Sequence, residues 1–329
     1  MGMKAQILKI LRETRGYVSG QELCEKLSVS RTTIWKVVGQ LKSEGYVIEG
    51  IRNRGYRLVD VPDSIEEKEI RSRLHTQWLG KEIYYQKSVD STNSWAKRLA
   101  EEGKPSGTVV VADVQTNGKG RRGRSWETPE RMSVPLSILL RPDFLPEKAS
   151  MLTLVMGLSV VQALENAVSL QCSIKWPNDV LISEKKVCGI LAELYSQIDN
   201  MEYMVVGAGV NANMTEFPEE LANKATSLRN ELGRPVQRAL LVAYILEAFE
   251  KNYEKFLHTQ DLRDLKEEYT KRLLNTGRPV RILQPQEEFE GVARGIDTWG
   301  NLLVERTDSG VVEQVYAGEV SVRGLHGYV

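Results

Sequence analysis

The sequence predicts an α+β protein of more than one unit, and two observations carry that reading. A basic, helix-rich start closes on two short β-like runs, and a long centre then alternates strand-like and helix-like segments, with too many Gly and Pro breaks for a helical bundle. At 329 residues the chain is long enough for two or three cores. Charged residues at 27% and hydrophobic ones at 41% fit a folded globular protein rather than a disordered or fibrous one. The longest apolar run, 151–168, is broken by Gly157, Ser159, Gln162, Glu165 and Asn166. It falls short of the roughly 18–20 uninterrupted residues of a membrane helix. The start Met-Gly-Met-Lys-Ala lacks a signal-peptide plan, and Cys24, Cys172 and Cys188 offer neither a disulfide framework nor paired metal-ligand spacing. The expectation is a cytoplasmic protein with no membrane partner.

Net charge is zero overall, yet residues 1–60 carry eleven Lys/Arg against six Asp/Glu, leaving 33 against 38 beyond them. A basic small unit on a mildly acidic larger one suggests that only the first meets a polyanion. Ile7, Leu8, Ile10 and Leu11 give a first helix its apolar face, ending near Gly16. Ser19-Gly20-Gln21-Glu22 fits a capping box, and Leu23 and Leu27 follow on a short second helix. After a turn at Ser28-Val29, Ser30 caps a third helix running to Glu44, with Ile34, Val37, Val38 and Leu41 inward. Around its first turn, Ser30, Arg31, Thr32, Thr33, Trp35 and Lys36 suit phosphates and base edges. β-like runs at 46–48 and 56–58 then flank the basic turn Arg52-Asn53-Arg54-Gly55. Close helices plus a basic hairpin describe a winged helix-turn-helix over 1–60, with Arg52 and Arg54 reaching the same duplex. The plain alternative is a three-helix dimerisation module with a solvated basic face. Residues 60–63 read as a linker, and Ser64-Ile65-Glu66-Glu67 as a second capping box opening the next domain, 64–275.

In that domain strands are predicted at 83–85, 108–112, 133–140, 171–176, 189–194 and 202–208. Helices are predicted at 91–102, 147–168, 235–257 and 261–274. The densest chemical signal is Gln115-Thr116-Asn117-Gly118-Lys119-Gly120-Arg121-Arg122-Gly123-Arg124-Ser125-Trp126. It contains G-x-G-x-x-G after a strand, but no helix follows convincingly, which argues against a dinucleotide fold; Gly207-Ala208-Gly209 fails likewise. Four cations in six residues, spaced by glycines, instead let amides and guanidinium groups surround an anion. Such a loop is costly when empty, so it is expected to be mobile until its ligand orders it; the plain alternative is a solvated basic loop. Lys175-Trp176-Pro177-Asn178-Asp179 is the second signal, a turn between strand-like runs. A hairpin at 184–190 then returns Lys185 and Lys186 towards the same region.

Asp90-Ser91-Thr92-Asn93, the glycine–cation run with Trp126, Lys175 to Asp179 and Gly209-Val210-Asn211-Ala212-Asn213 occur in the order seen in biotin protein ligases. Segments 291–296, 300–305 and 318–323 resemble that family's small C-terminal SH3-like β-barrel, here 276–329. With the winged start, the chain resembles the bifunctional bacterial form, a ligase that also represses biotin genes. The resemblance implies that Ser91, Thr92, Asn93 and Gln115 hydrogen-bond the biotin head group. It implies that Lys119, Gly120 and Arg121 hold its carboxylate and the α-phosphate. Lys186 then reaches the acyl-phosphate junction or the ureido end, and Gly189 lines the pocket. Gly118, Arg121, Arg124, Trp126 and Asn211 surround the adenylate, with Trp126 and Asn211 flanking adenine. The family pattern has Ala and Arg where this chain has Asn117 and Lys119, and lysine lacks the planar fork. The run 130–135 also lacks the glycines and tyrosine of the pattern.

Three histidines, at 75, 258 and 326, stand away from these motifs, which disfavours a Ser-His-Asp triad or a zinc site. The implied chemistry needs neither. Biotin's carboxylate attacks the α-phosphorus of ATP, and clustered cations with Mg2+ stabilise the building charge. Lys119, Arg121 and Lys186 are the expected catalytic residues. Asp179 is a fourth candidate, with three readings open: handling the acceptor lysine, ligating magnesium, or capping a turn. Implied partners are a biotin carboxyl carrier protein, operator DNA and a second copy after ligand binding. Rival readings are a transcription factor that only senses a small anion, a lipoate–protein ligase, and a dinucleotide-dependent oxidoreductase.

Overall fold

The computed structural model describes residues 2–197, 200–284, 287–318 and 320–324. His326 and the end of the predicted third domain lie outside them. Helices α1 (Met3–Glu13), α2 (Gly20–Leu27) and α3 (Arg31–Ser43) and strands β1 (Val47–Ile51) and β2 (Gly55–Asp60) form the first unit. They close on a core of their own, with Ile7, Leu8, Leu23, Ile34, Val38, Leu41 and Ile48 buried. Ser19 and Ser30 cap α2 and α3, accepting from the backbone N–H of Glu22 at 3.0 Å and Thr33 at 3.2 Å. Glu22 does not complete the predicted box; its carboxylate pairs forward with Lys26 at 2.8 Å, one turn along the helix. Strand β2 is pinned to the helices by paired backbone bonds between Val18 and Tyr56, both 2.8 Å. At Gly55 (φ 106) a Cβ would stand 2.0 Å from the Val18 oxygen, so only glycine lets the wing close here.

The predicted linker is fastened rather than loose. Asp63 Oδ2 accepts from Arg238 Nε at 2.8 Å, which keeps the chain extended beyond the predicted cap. Ser64 Oγ therefore accepts from Glu66 N–H at 3.1 Å in a turn, and the helix α4 (Glu67–Arg71) starts after Glu66. Arg12 of α1 donates to both carboxylate oxygens of buried Glu69, at 2.6 and 2.8 Å, tying the first unit to the second.

The second unit is a seven-stranded mixed sheet in the order β3-β4-β5-β9-β8-β7-β6. Its strands are β3 (Ile83–Val89), β4 (Thr108–Gln115), β5 (Ser133–Leu140), β6 (Ser173–Lys175), β7 (Asp179–Ile182), β8 (Lys185–Gln197) and β9 (Asn200–Asn211). Between and after them run α5 (Thr92–Glu101), α6 (Met151–Val168), α7 (Leu228–Leu232), α8 (Arg238–Thr259) and α9 (Lys266–Arg272). Strands β3 and β4 pair in parallel, and the other neighbouring strands of this sheet pair antiparallel. The predicted helix over 261–274 is shorter because Asp261 folds back on Arg263 and Leu262 N–H bonds Thr298, holding 261–265 as a turn. Strand β7 is the strand-like run expected after Pro177, whereas helix α7 was not foreseen.

The alternation of side chains along the strands decides where a site can sit. Val134, Leu136 and Ile138 of β5 and Val206, Ala208 and Val210 of β9 join the core under α6 and α8. The alternate residues Leu139 and Val205 pack with Ala96 and Leu99 of α5 on the opposite face. Helix α5 covers only part of that face. Segment 146–168 is long and apolar enough to cross a membrane, but 72% of its most apolar window is buried, as suits a core helix. The third unit is a five-stranded antiparallel sheet, order β13-β12-β11-β10-β14. It comprises β10 (Pro279–Leu283), β11 (Glu288–Ile296), β12 (Leu302–Arg306), β13 (Val312–Val315) and β14 (Ser321–Gly324).

Candidate functional site

A cavity of about 1180 Å³ lies on the part of the sheet that α5 leaves open, walled by loop 118–126 and by residues 320–323 of the third unit. Its floor is a cross-strand row. Pro135, Gly209, Gly189, Asp179 and Lys175 are successive register partners from β5 across β9, β8 and β7 to β6, and so share one face. The two glycines make room for Trp126. A Cβ on Gly209 would stand 2.5 Å from the indole nitrogen, and one on Gly189 2.9 Å from the ring edge. Lys186 Nζ lies 5.3 Å from the centroid of that indole and 2.7 Å from Asp179 Oδ1. Trp126 Nε1 itself is buried with no hydrogen-bond partner, a donor facing a site that needs an acceptor.

Beside the row, two residues further along the strand, Gly207 faces Asn93, whose Oδ1 would stand 2.1 Å from a Cβ there. Gln115 Oε1 accepts from the N–H and the hydroxyl of Thr92 at 2.8 and 3.0 Å, and Gln115 Nε2 donates to Thr128 at 3.1 Å. Ser137 Oγ lies 2.8 Å from Thr92 Oγ1 and 2.6 Å from Asn93 Oδ1. Ser91 is the buried residue before α5. Asp90 turns outward, its two oxygens held by Arg98 at 2.8 and 2.9 Å, which keeps its pKa down to about 2.

The basic loop carries its own backbone frame. Gly120 N–H donates to Arg124 O at 2.7 Å, and Trp126 N–H to Gly118 O at 2.9 Å. Gly118 is buried within this frame, where a Cβ would meet the Trp126 oxygen at 2.2 Å. Arg121 turns inward and donates to Asn178 Oδ1 at 3.0 Å and to the carbonyls of Ala317 and Gly318 at 3.1 and 2.5 Å. Burial pulls its pKa below the ordinary value, with Asp179 opposing. Lys119 and Arg124 stay exposed at the mouth. Asn211 lines the cavity while its amide donates to Thr226 O at 3.1 Å. Cys188 is fully buried on the other face, its thiol pushed up by burial, which suits a packing role.

The cleft candidates named from sequence thus converge on one cavity, with Gly118 behind its wall. The candidates on the winged unit form a separate surface: Arg31, Thr32, Trp35 and Lys36 are exposed along one side of α3, Ser30 caps it, and Thr33 is partly covered. Arg52 is exposed in the wing turn, and Arg54 lies 5.0 Å over the Tyr17 ring. Sequence reasoning missed Ser137, Glu193 with Lys97, and Lys175 as a site residue. Lys175 is 7% exposed, and burial pulls its pKa down to about 8, with Asp179 opposing. A signal for Glu193 existed: it stands at even spacing from Gly189 on a strand, and so on the floor face. Among the described residues no group of three or more His, Cys, Asp or Glu could hold a metal, and Asp179, an acid on the cleft floor, is ion-paired to Lys186. The donor set fits a magnesium ion carried by nucleotide phosphates and water better than one caged by protein.

Three family patterns match the chain: the Biotin/lipoate A/B protein ligase family over residues 85–211, an HTH domain over 4–57, and the Biotin protein ligase C terminal domain over 276–323. The bifunctional ligase/repressor BirA of Bacillus subtilis is 38% identical over 308 residues, 93% of this chain and 94% of that one. Its counterpart from Escherichia coli is 30% identical over 93% of this chain and 92% of its own. A solved structure of biotin protein ligase from Aquifex aeolicus in complex with biotin and ATP superposes with a TM-score of 0.65 at 34% identity, covering 74% of this chain and 99% of that chain. With the polar pocket, the cationic loop and the winged helix in place, the chain belongs to the biotin protein ligases, in their bifunctional ligase and repressor form.

Proposed function

We propose that this ligase and repressor performs both half-reactions in the one cleft and couples them to DNA through the winged unit. The observation that carries the reading is the cross-strand row, which sets a polar pocket on one side of Trp126 and Lys186, Asp179 and Lys175 on the other. The units are assigned as 1–60 for DNA, 64–275 for catalysis and 276–329 for closing the cleft. Ser91, Thr92 and Gln115 take the biotin head group, with Asn93 beside them. Lys119, Gly120, Arg121 and Lys186 gather the biotin carboxylate and the α-phosphate, and Gly118, Arg124, Trp126 and Asn211 surround the nucleotide.

The carboxylate oxygen bonds to the α-phosphorus, the bond to pyrophosphate breaks, and biotinyl-5′-AMP remains. Bringing two anions together is the barrier, and buried cations lower it more than solvated ones do. Magnesium, bound with the nucleotide, supplies further charge neutralisation. Loop 118–126 shields the mixed anhydride from water. A neutral lysine amine of a biotin carboxyl carrier protein then attacks the carbonyl and expels AMP. Asp179, paired with Lys186, lies on the floor where that amine arrives. Adenylate binding then favours a homodimer in the cytoplasm that sets two winged helices at the spacing of operator half-sites.

The test is pyrophosphate release by the full chain with ATP and magnesium, comparing biotin, lipoate and no acid. Release with biotin alone is expected; release with lipoate, or with none, overturns the substrate assignment. Equal operator affinity in band shifts with and without biotin and ATP overturns the co-repressor step.

A further inference from the structure

We infer that Arg12 and Glu69 are positioning residues that fix the angle at which the winged unit sits on the ligase unit. A dimer of this chain then presents its two α3 helices to operator half-sites at one spacing. The inference rests on reading the chain as a repressor that dimerises on DNA. Helix α4 belongs to the second unit: Ile65 and Ile70 are fully buried in that core, and Arg71 donates to the carbonyl of Lys81 ahead of β3. Arg73, just after α4, donates to Gln237 Oε1 at 2.8 Å, at the start of α8. The charged side of α4 meets the first unit. Glu69, 1% exposed, accepts from Arg12 Nη2 at 2.6 and 2.8 Å and from Arg73 Nη2 at 3.2 Å. Arg12 Nε donates to Ser72 Oγ at 3.1 Å, and that hydroxyl donates to the Glu69 carbonyl at 2.8 Å.

A second contact reaches α3 itself. Glu44, its C-cap, pairs with Lys68 of α4 at 2.7 Å and with Lys4 of α1 at 2.5 Å. Burial pushes that carboxyl up, and the two lysines hold it below the ordinary value all the same. Residues 60–63 supply the covalent tie, and Asp63 is itself held by Arg238. A tether alone would let the winged unit swing, and joining two ligase units would then impose no spacing on two α3 helices. A buried ion pair adds little to the strength of such a contact, because its desolvation offsets its attraction; what it selects is geometry. One planar guanidinium serves Glu69 and Ser72 together, and a different docking angle would leave one of these buried acceptors unmatched. The winged unit is therefore held at one angle, with α3 fastened near its C-terminal end and its first turns left exposed.

The test is a set of band shifts by the full chain with biotin and ATP, on an operator that the wild type selects from random duplexes. A second duplex has its half-sites moved apart by about 5 base pairs, half a helical turn. R12M removes the winged unit's arm and leaves Glu69 paired with Arg73; E69Q leaves two guanidiniums facing each other without their anion. Wild type is expected to lose affinity on the order of a hundredfold on the shifted duplex. In each variant the selected operator should bind about tenfold more weakly, and the shifted duplex should cost less than about tenfold more. Pyrophosphate release with biotin, and binding to a lone half-site, should be unchanged. Variants that keep the wild-type spacing preference overturn the proposal. An equal loss on the lone half-site also overturns it, since Arg12 would then be a DNA-contacting charge. Should both variants fail to fold, K68M, which frees Glu44 from α4, carries the same expectation at a few-fold, and no change there overturns it equally. A wild type indifferent to spacing fails differently, removing the reading of a dimer on the operator.

Discussion

In the wing, Arg54 and Arg57 lie over the Tyr17 ring, 5.0 and 5.1 Å from its centroid, and Arg57 also pairs with Glu49 at 2.8 Å. In loop 118–126, Arg121 is drawn inward between Asn178 and two carbonyls of the third unit. Both are short basic turns with glycines, and each is proposed to meet an anion. The difference is water. The wing arginines stay at the surface, where salt screens them within about 8 Å and each contributes little. Arg121 sits where its charge is poorly hydrated, so in the proposed role it would act more strongly on a developing negative charge. Residue type fixes what each turn can bind, and burial fixes how much each cation contributes.

The largest effect is expected at Arg121. R121A is expected to lower biotin-dependent pyrophosphate release by about 10²–10³-fold, the usual cost of removing one preorganised donor. Band shifts of the unliganded protein should be unchanged. A variant that keeps its rate would place Arg121 with the wing arginines as a solvated cation. On the DNA side the largest effect is expected at Trp35, which is 71% exposed in the first half of α3. One turn on, Gly39 has nothing within 4 Å of where a Cβ would be, so an approaching duplex meets no obstacle there. W35A should cost about 1–3 kcal/mol of discrimination at one base pair, read by selection from random duplexes. Its melting temperature should hold, because the ring supports no core.

The winged unit was nearly complete in the sequence because its signals are local: Ser19 and Ser30 as caps, the spacing of Ile34, Val38 and Leu41, and the basic turn before Gly55. The predicted β-runs and the strand 133–140 were legible for the same reason. The cleft was legible as motifs but not as an arrangement. Nothing near Gly189 in the chain says that Gly209 lies beside it, since a β8–β9 register decides that. Glu193 and Lys175 looked like ordinary strand charges, and only the register of their strands shows which face they occupy. The third unit's part in the cleft was equally hidden, because Arg121 reaches Ala317 and Gly318 across nearly two hundred residues of chain.

Lys175, buried in the same cleft, makes its charge depend on pH. Its folded pKa is near 8 and its unfolded value near 10.5, so the unfolded chain holds more protons between those limits. Its contribution to stability therefore rises with pH across that window. The cleft meanwhile loses a positive charge above about pH 8. Pyrophosphate release is expected to fall, by up to about tenfold per pH unit, while the melting temperature does not fall with it. K175M should flatten both profiles. If rate and stability fall together in wild type, general unfolding explains the loss and Lys175 is not the group.

The smallest effect separates two arginines of the wing itself. Among the described residues Arg54 lies over Tyr17 and forms no ion pair, whereas Glu49 already neutralises Arg57 at 2.8 Å. Affinity for duplex DNA falls with salt in proportion to the phosphates neutralised, about 0.9 in the logarithmic slope for each. R54A should therefore reduce that slope by about one and weaken binding a few-fold at moderate salt. R57A should change it less, since its charge is partly spent on Glu49 before DNA arrives. Band shifts across a salt series read both. Equal losses in the two variants would mean that DNA displaces Glu49 from Arg57, and the wing would then present both cations to the backbone.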